Sequence, residues 1–243
     1  MQRNDFLYLQ YNDLNWSHQA QTDMNGFIND FIIDEVILAD DNLPLKIFDI
    51  GFGIGAFIRR LVLKTNQTSG LLIEGCEPSD KNYNQFNAAP LQVRNGVTLK
   101  THNAVFLDVD TPNRFDLITA IYVFPHIPFE ELEPTVEKIH AMLEPGGRFV
   151  MVVVNEGYLK SNLDSGNGVY TLVHQVEIEY GGTTYTEYLH YTDLPGVGRI
   201  LDYNRESEFY RRLFDKKGLQ LVLERDLDDS GYTCTSFVFQ KVR

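Results

Sequence analysis

The sequence predicts an α/β protein with a doubly wound, seven-stranded, mostly parallel sheet whose last strand is antiparallel, plus a β-hairpin insertion after the fifth strand. Three observations favour this fold class. Continuous apolar runs alternate with segments of helical spacing between residues 46 and 155, which is typical of a parallel sheet covered on both faces. A tyrosine-rich stretch follows, with Gly181 and Gly182 between two β-like runs. Two final strand-like runs are separated only by a charged turn, so they can pair antiparallel.

Residues 1–42 are expected to form an N-terminal cap and a helix. Apolar residues over 27–36 recur at helical spacing, and Ser17 or Thr22 could start that helix. Pro44 lies just beyond it and marks its end, because proline cannot continue a helix.

The remaining elements follow from the same two patterns. Strands are predicted where short apolar runs stop at glycine or polar residues, and helices where apolar residues recur every three or four positions. The predicted strands are 46–50, 70–76, 97–102, 115–122, 148–155, 169–180, 184–191, 219–224 and 233–241. The predicted helices are 55–64, 79–89, 128–143 and 206–216. Connections in such a sheet usually take about 2–6 residues. The segment 156–204 is much longer than such a connection, so we expect it to be a β-rich insertion that covers the substrate side. The whole chain, 1–243, is expected to form a single domain.

The charge balance excludes several function classes. Lys and Arg total 21 and Asp and Glu total 34, giving a formal net charge of −13 that repels nucleic-acid phosphates and anionic lipids. No signal peptide is seen, and no apolar run approaches the roughly 20 residues that span a bilayer. Cys76 and Cys234 cannot form a disulfide framework, and His174 and His190 lack the spacing of a metal site. We expect a cytoplasmic monomer or homodimer without metal, nucleic-acid or membrane partners.

A glycine-rich turn after the first strand carries the strongest functional signal. Gly51, Gly53 and Gly55 precede a helix, where the backbone can turn tightly and approach a ligand at the helix N-terminus. Gly51, Gly53 and Ala56 also satisfy the dinucleotide pattern G-x-G-x-x-A. Asp49 argues against a dinucleotide, because a carboxylate beside a pyrophosphate is unfavourable. A ligand with an ammonium and a sulfonium, such as S-adenosylmethionine, is favoured instead.

These residues resemble the first motif of the class I S-adenosylmethionine-dependent methyltransferases of the small-molecule type. Further segments resemble that family's later motifs in order and spacing; they are 72–79, 102–104, 115–120 with 124–127, 143–149, and 201–205 followed by Tyr210 and Gly218. In the second of the family's motifs an acidic residue accepts hydrogen bonds from the ribose hydroxyls, and the resemblance places this residue at Glu77. In the third the family usually has an acid that meets the adenine, where this chain has Asn103.

The resemblance implies a Rossmann-like methyltransferase fold and a reaction. The reaction is methyl transfer from S-adenosylmethionine to an oxygen or nitrogen of a small molecule, by in-line displacement. The implied cofactor-binding residues are Asp49, Gly51, Gly53, Gly55, Glu77, Pro78, Asn103, Ala104 and Tyr122. Three alternatives stay open: a protein or peptide methyltransferase, an NAD(P)-dependent oxidoreductase, and a non-catalytic scaffold that binds S-adenosylmethionine.

Candidate catalytic and acceptor residues lie beyond the strand ends. His126 follows the fourth strand on the ligand side of such sheets, where it could act as a general base or only pack the loop. Tyr122 in the same loop is the second catalytic candidate. The candidate substrate-binding residues are Tyr11, Trp16, Asn155, Tyr203 and Arg205. The hairpin is expected to cover the acceptor, with dimerisation through its edge as the alternative.

Overall fold

The predicted alternation of strands and helices is present in the computed structural model, which describes residues 10–15, 26–38, 46–65, 70–89, 91, 96–166, 168–194, 196–229 and 232–242. The strands are β1 (Lys46–Ile50), β2 (Leu71–Cys76), β3 (Val97–His102), β4 (Phe115–Ile121), β5 (Leu143–Val154), β6 (Tyr170–Tyr180), β7 (Thr183–Leu194), β8 (Gly198–Arg205), β9 (Leu219–Asp229) and β10 (Tyr232–Lys241). The helices are α1 (Ala56–Lys64), α2 (Asp80–Ala88), α3 (Phe129–Met142), α4 (Glu156–Ser165) and α5 (Ser207–Lys216). An N-terminal helix is helical from residue 26 and continues as a π-helix over Ile32–Ile37, and short 3-10 turns form at Gln10–Asn12, Phe106–Asp108 and Phe124–His126. None of the described helices is long and apolar enough to cross a membrane.

The main sheet has the strand order β3-β2-β1-β4-β5-β10-β9. Strand β1 pairs in parallel with β2 and β4, and the pairs β2–β3 and β4–β5 are also parallel. Strand β10 runs antiparallel to both β5 and β9. The predicted doubly wound sheet with an antiparallel last strand is therefore confirmed. The chain order reverses between β1 and β4, which places a ligand crevice at the carboxyl ends of those strands.

Two apolar clusters cover the two faces of this sheet. Side chains of a strand alternate between faces, so Phe149 and Met151 of β5 pack into one cluster and Val150 and Val152 into the other. Helices α3 and α5 cover the first face, and the N-terminal helix and α1 cover the second. Burial on both faces explains why these strands read as continuous apolar runs.

The insertion begins with a helix and then forms a separate three-stranded antiparallel sheet of order β6-β7-β8. The β6–β7 hairpin was predicted, and Gly181 (φ 59°) and Gly182 (φ 78°) have the two positive φ values that a tight hairpin turn requires. The prediction of a hairpin alone was incomplete, because α4 and β8 were missed. Helix α4 buries only Leu159, so its sequence carries little helical periodicity. Strand β8 turns Asp202 and Asn204 inward, which hides the usual alternation of apolar and polar residues.

Candidate active site

A cavity lies over the carboxyl ends of the parallel strands β1, β2 and β4. It holds about 1260 Å³ of empty space, including its open mouth. Its walls come from the glycine-rich turn after β1, the end of β2, the loops after β3 and β4, the 3-10 turn at Gln10–Asn12, and strands β7 and β8. The cavity therefore joins the sheet, the N-terminal segment and the insertion at one place.

The glycine-rich turn divides into two residues at the cavity and one behind it. Gly51 (φ 63°) and Gly53 (φ 57°) line the cavity in the left-handed conformation that favours glycine. Gly55 (φ 84°) caps α1, and a Cβ there would lie 2.2 Å from the Phe86 ring. Gly51 and Gly53 thus let the backbone approach the cavity closely. Gly55 instead allows close packing against Phe86.

Glu77 lies at the end of β2 with its carboxylate in the cavity wall. One oxygen accepts the Gly53 N–H at 2.8 Å and the other accepts the Ser79 N–H at 2.9 Å. The residue is 5% exposed, and burial raises the pKa of this carboxyl to about 7 despite these bonds. The Asn82 side chain also donates to this carboxylate, so of its about four lone-pair positions one remains for a further donor. Pro78 follows it in the cavity wall.

Asn82, on the first turn of α2, was missed by the sequence analysis. Its side chain is 3% exposed, it lines the same cavity, and its Oδ1 has no hydrogen-bond partner among the residues that the structure describes. A buried amide oxygen without a donor is costly, which makes Asn82 and Glu77 together an acceptor pair for a ligand that brings hydroxyl or amino donors. The available signal was its position three residues after the helix cap Ser79, where its backbone N–H donates to the cap hydroxyl.

Asp49 lies beneath the turn rather than in the cavity wall. It is 2% exposed, and its Oδ1 accepts the Thr119 hydroxyl at 2.7 Å across the β1–β4 pair. Burial raises the pKa of Asp49 to about 7, and the nearby Glu77 adds to the increase. Asp49 thus contributes negative charge under the crevice without direct access to it.

The loop after β3 enters the cavity with residues other than the predicted ones. Asn103 is exposed, and its amide donates to Asp80 at 2.5 Å. Ala104 packs against the apolar core. The next three residues, 105–107, line the cavity instead. The loop after β3 thus reaches the cavity, and its apolar side chains form the wall in place of the predicted Asn103 and Ala104.

His126 is the centre of a buried polar network. The Tyr11 hydroxyl contacts its Nε2, and Asp202 Oδ1 lies 3.1 Å from its Nδ1, an ion-pair distance. The other Asp202 oxygen accepts the Thr192 hydroxyl at 2.8 Å, and Thr192 lies 3.4 Å from His190 Nδ1. Tyr11, His126, Thr192 and Asp202 all line the cavity. Asp202 was not predicted as a site residue, because an aspartate inside a strand carries no local signal of its partner.

Tyr122 lines the cavity, and its hydroxyl lies beside Tyr232 and Cys234. Its φ of 57° is left-handed, an uncommon conformation for a residue with a side chain. Its ring lies 6.2 Å from that of Tyr232, and burial raises the pKa of the Tyr122 hydroxyl well above its usual range. This placement makes Tyr122 a wall residue, not a partner of His126.

Of the other predicted acceptor residues, the three that the structure describes do not line the cavity; they are Asn155, Tyr203 and Arg205. Arg205 is fully buried, and its guanidinium donates to Glu187 at 2.6 Å, to Phe124 O at 3.3 Å and to Ile127 O at 2.9 Å. Its predicted contact with the acceptor is therefore wrong, because its donors hold the loop that carries His126. The Arg205 guanidinium carbon lies 5.2 Å from the centroid of the Tyr203 ring. Asn155 caps α4, and Trp16 lies outside the described residues.

The cavity wall is acidic and otherwise mostly apolar. Glu77, Glu131 and Asp202 line it, and no lysine or arginine of the described chain does so. Because these carboxylates have no lysine or arginine beside them in the described wall, the electrostatic field in the cavity favours a cationic ligand over an anionic one.

Comparison with known proteins gives concordant matches. A family profile described as a methyltransferase domain matches residues 17–224. An uncharacterised methyltransferase of Bacillus cytotoxicus is 27% identical over 173 residues, which cover 69% of this chain and 72% of that protein. Magnesium protoporphyrin IX methyltransferase of Synechocystis PCC 6803, solved with SAH, has a TM-score of 0.58 and 15% identity over 92% of this chain and 83% of its own. The PH0226 protein of Pyrococcus horikoshii OT3 has a TM-score of 0.59 and 16% identity over 99% of each chain. Both structures share this fold.

Proposed function

The chain belongs to the methyltransferase domain family, and from that premise we propose that it transfers the methyl group of S-adenosylmethionine to an oxygen or nitrogen of a small-molecule acceptor. The observation that carries the proposal is the pair of buried acceptors beside the glycine turn. Glu77 and Asn82 face one cavity, and Asn82 Oδ1 has no partner within the described chain. The chemistry of this pair fits a ligand with vicinal hydroxyls.

The cofactor would be held by residues from three strand ends. Glu77 and Asn82 would accept from the ribose hydroxyls, Gly51 and Gly53 would let the backbone approach, and the apolar residues 105–107 would contact the adenine. When bound, S-adenosylmethionine supplies a methyl group on a positively charged sulfur, which suits an acidic cavity. The Synechocystis enzyme, solved with both SAH and SAM, supports this assignment.

The acceptor would lie under the N-terminal segment and the insertion. Tyr11 covers one side, and Thr192 and Asp202 of β7 and β8 cover the other. Gln10 ties the segment to β8 through two hydrogen bonds with the backbone of Leu201, at 2.8 and 3.1 Å. Such a covered cavity favours a small molecule over a protein segment, and it excludes water from the reacting atoms.

His126 is the proposed catalytic base of this reaction. Its Nε2 faces the cavity through the Tyr11 hydroxyl, so a proton released by the acceptor has a short route to the imidazole. Methyl transfer needs an aligned nucleophile first and a base only when the nucleophile carries a proton. Tyr122 would shape the wall next to the transferred methyl group.

Transfer of isotope-labelled methyl from S-adenosylmethionine to a metabolite panel and a peptide panel tests the proposal. We expect label in one or more small molecules and none in peptides, because the N-terminal segment and the insertion cover the cavity. Label confined to peptides would favour a protein methyltransferase. Cofactor binding without transfer to either panel would favour a non-catalytic scaffold.

A further inference from the structure

Asp202 is a buried carboxylate that the proposed cofactor site does not use. It belongs to β8 of the insertion, is 8% exposed and faces the cavity. Burial opposes its ionisation, but the charge of His126, with contributions from His190 and Thr192, outweighs burial and lowers the pKa of Asp202. Thr192 donates its hydroxyl to Asp202 Oδ2 at 2.8 Å and His126 Nδ1 lies 3.1 Å from Asp202 Oδ1, so both oxygens have a neighbour that favours the carboxylate form.

An ionised Asp202 fixes the tautomer of neutral His126. Asp202 Oδ1 lies at an ion-pair distance of 3.1 Å from Nδ1 without hydrogen-bond geometry, and its negative charge favours the imidazole proton on Nδ1 over Nε2. Nε2 then carries the lone pair and accepts from the Tyr11 hydroxyl. The chain Tyr11–His126–Asp202 is in this way oriented to receive a proton from the cavity side.

We propose that Asp202 is the positioning residue that makes His126 a base, and that the acceptor is accordingly an alcohol, a phenol or an amine whose reacting atom carries a proton, not a carboxylate or a phosphate. This inference rests on the proposed methyl transfer. It assigns to the insertion a part in the chemistry besides covering the acceptor.

The proton and the electrons balance in this scheme. The acceptor oxygen or nitrogen forms a bond to the methyl carbon, and the electron pair of the broken carbon–sulfur bond stays on sulfur. The acceptor proton passes to the Tyr11 oxygen while the Tyr11 proton passes to His126 Nε2. His126 becomes an imidazolium beside the Asp202 carboxylate, which stabilises the new charge.

An anionic acceptor fits this cavity poorly for two reasons. A carboxylate attacks without losing a proton, so the Tyr11–His126–Asp202 chain would have no proton to take. Its charge would also meet Glu77, Glu131 and Asp202 in the wall, with no cationic side chain of the described chain lining the cavity to offset it. The polar groups that face His126 are Tyr11, Glu77, His190 and Asp202, so Asp202 and Glu77 are the negative charges acting on it.

Asp202→Asn tests the positioning role directly. The Thr192 hydroxyl would bind the amide oxygen in place of Asp202 Oδ2, and the amide nitrogen would then donate to Nδ1 and move the imidazole proton to Nε2. Nitrogen-15 NMR of the histidine rings above neutral pH should show the Nδ1–H tautomer in the wild type and the Nε2–H tautomer in the variant. Asp193→Asn is the matched control, because Asp193 is the adjacent strand residue beside Thr192 and forms an exposed pair with Arg199.

Turnover gives the second readout. With benzylamine, phenol and benzoate as minimal acceptors, we expect label in the amine or the phenol and none in benzoate. Asp202→Asn should lower kcat by about 100-fold, within the range for a general base, with SAH affinity unchanged.

The outcomes separate the two proposals. An unchanged tautomer in Asp202→Asn, or methylated benzoate, overturns the inference about Asp202 and the acceptor. If SAH binds but neither the metabolite panel nor the three compounds accept a methyl group, the small-molecule function fails, while the tautomer still decides the role of Asp202.

Discussion

Replacing Glu187 by alanine is expected to lower the free energy of unfolding by about 3–5 kcal/mol, the range for removing one partner of a buried ion pair. Glu187 Oε2 lies 2.6 Å from Arg205 Nε, and the Arg205 side chain has no exposed surface. Without Glu187 the buried guanidinium would be left, among the described residues, with two backbone carbonyls, the Tyr203 ring and the neighbouring Tyr210 hydroxyl, none of which carries a charge. Urea denaturation followed by far-UV circular dichroism measures the loss.

Two further variants make this result specific. Glu177→Ala removes an exposed glutamate of the same small sheet and should change stability by no more than about 0.5 kcal/mol. Glu187→Leu combined with Arg205→Met should recover part of the loss, since replacing both charges by apolar groups leaves none unpaired. Equal stability of Glu187→Ala and wild type would show that the pair does not anchor the insertion to the loop that carries His126.

Replacing His126 by alanine is expected to reduce kcat by about 10²–10⁴-fold, the contribution of a general base. The residue is 6% exposed at the cavity wall and contacts both Tyr11 and Asp202. Its removal should leave SAH binding largely intact, because the proposed ribose contacts, Glu77 and Asn82, come from the end of β2 and from α2 and do not depend on a hydrogen bond to His126. Steady-state kinetics with the labelled-methyl assay measures the change.

His174→Ala is the matched control for this variant. His174 lies exposed on β6, and its removal should leave kcat unchanged. A His126→Ala protein that keeps the wild-type kcat would show that His126 only packs the loop after β4.

The sequence predicted the parts of the site that depend on local pattern. The glycine turn, Glu77 and the β6–β7 hairpin follow from residue types at fixed spacing, and all lie where they were expected. Arg205 was predicted as an acceptor contact, whereas its buried guanidinium binds Glu187 and the carbonyls of Phe124 and Ile127. The sequence pattern around a charged residue at a strand end is the same whether its side chain contacts a ligand or two backbone carbonyls.

The residues that were missed owe their roles to contacts between distant segments. Asp202 acquires its role only when β8 brings it within 3.1 Å of His126. The residues next to it in the sequence do not indicate this contact. Asn82 looks like an ordinary polar position near a helix start until the fold buries its side chain beside Glu77. Such pairings depend on tertiary structure, which residue spacing along one chain does not encode.

Calorimetric titration with SAH and with NAD tests the central claim, that this cavity binds S-adenosylmethionine through Glu77. We expect SAH to bind to the wild-type protein and NAD to give no binding heat. Glu77→Ala should weaken SAH binding by about ten- to a hundredfold, since a hydrogen bond to a charged group contributes about 1.5–3 kcal/mol. Glu77→Gln, which keeps one carbonyl acceptor near Gly53 and Ser79, should bind SAH with intermediate affinity. NAD binding without a response to SAH would contradict the account, and an unchanged dissociation constant in Glu77→Ala would reduce Glu77 to a helix-start residue.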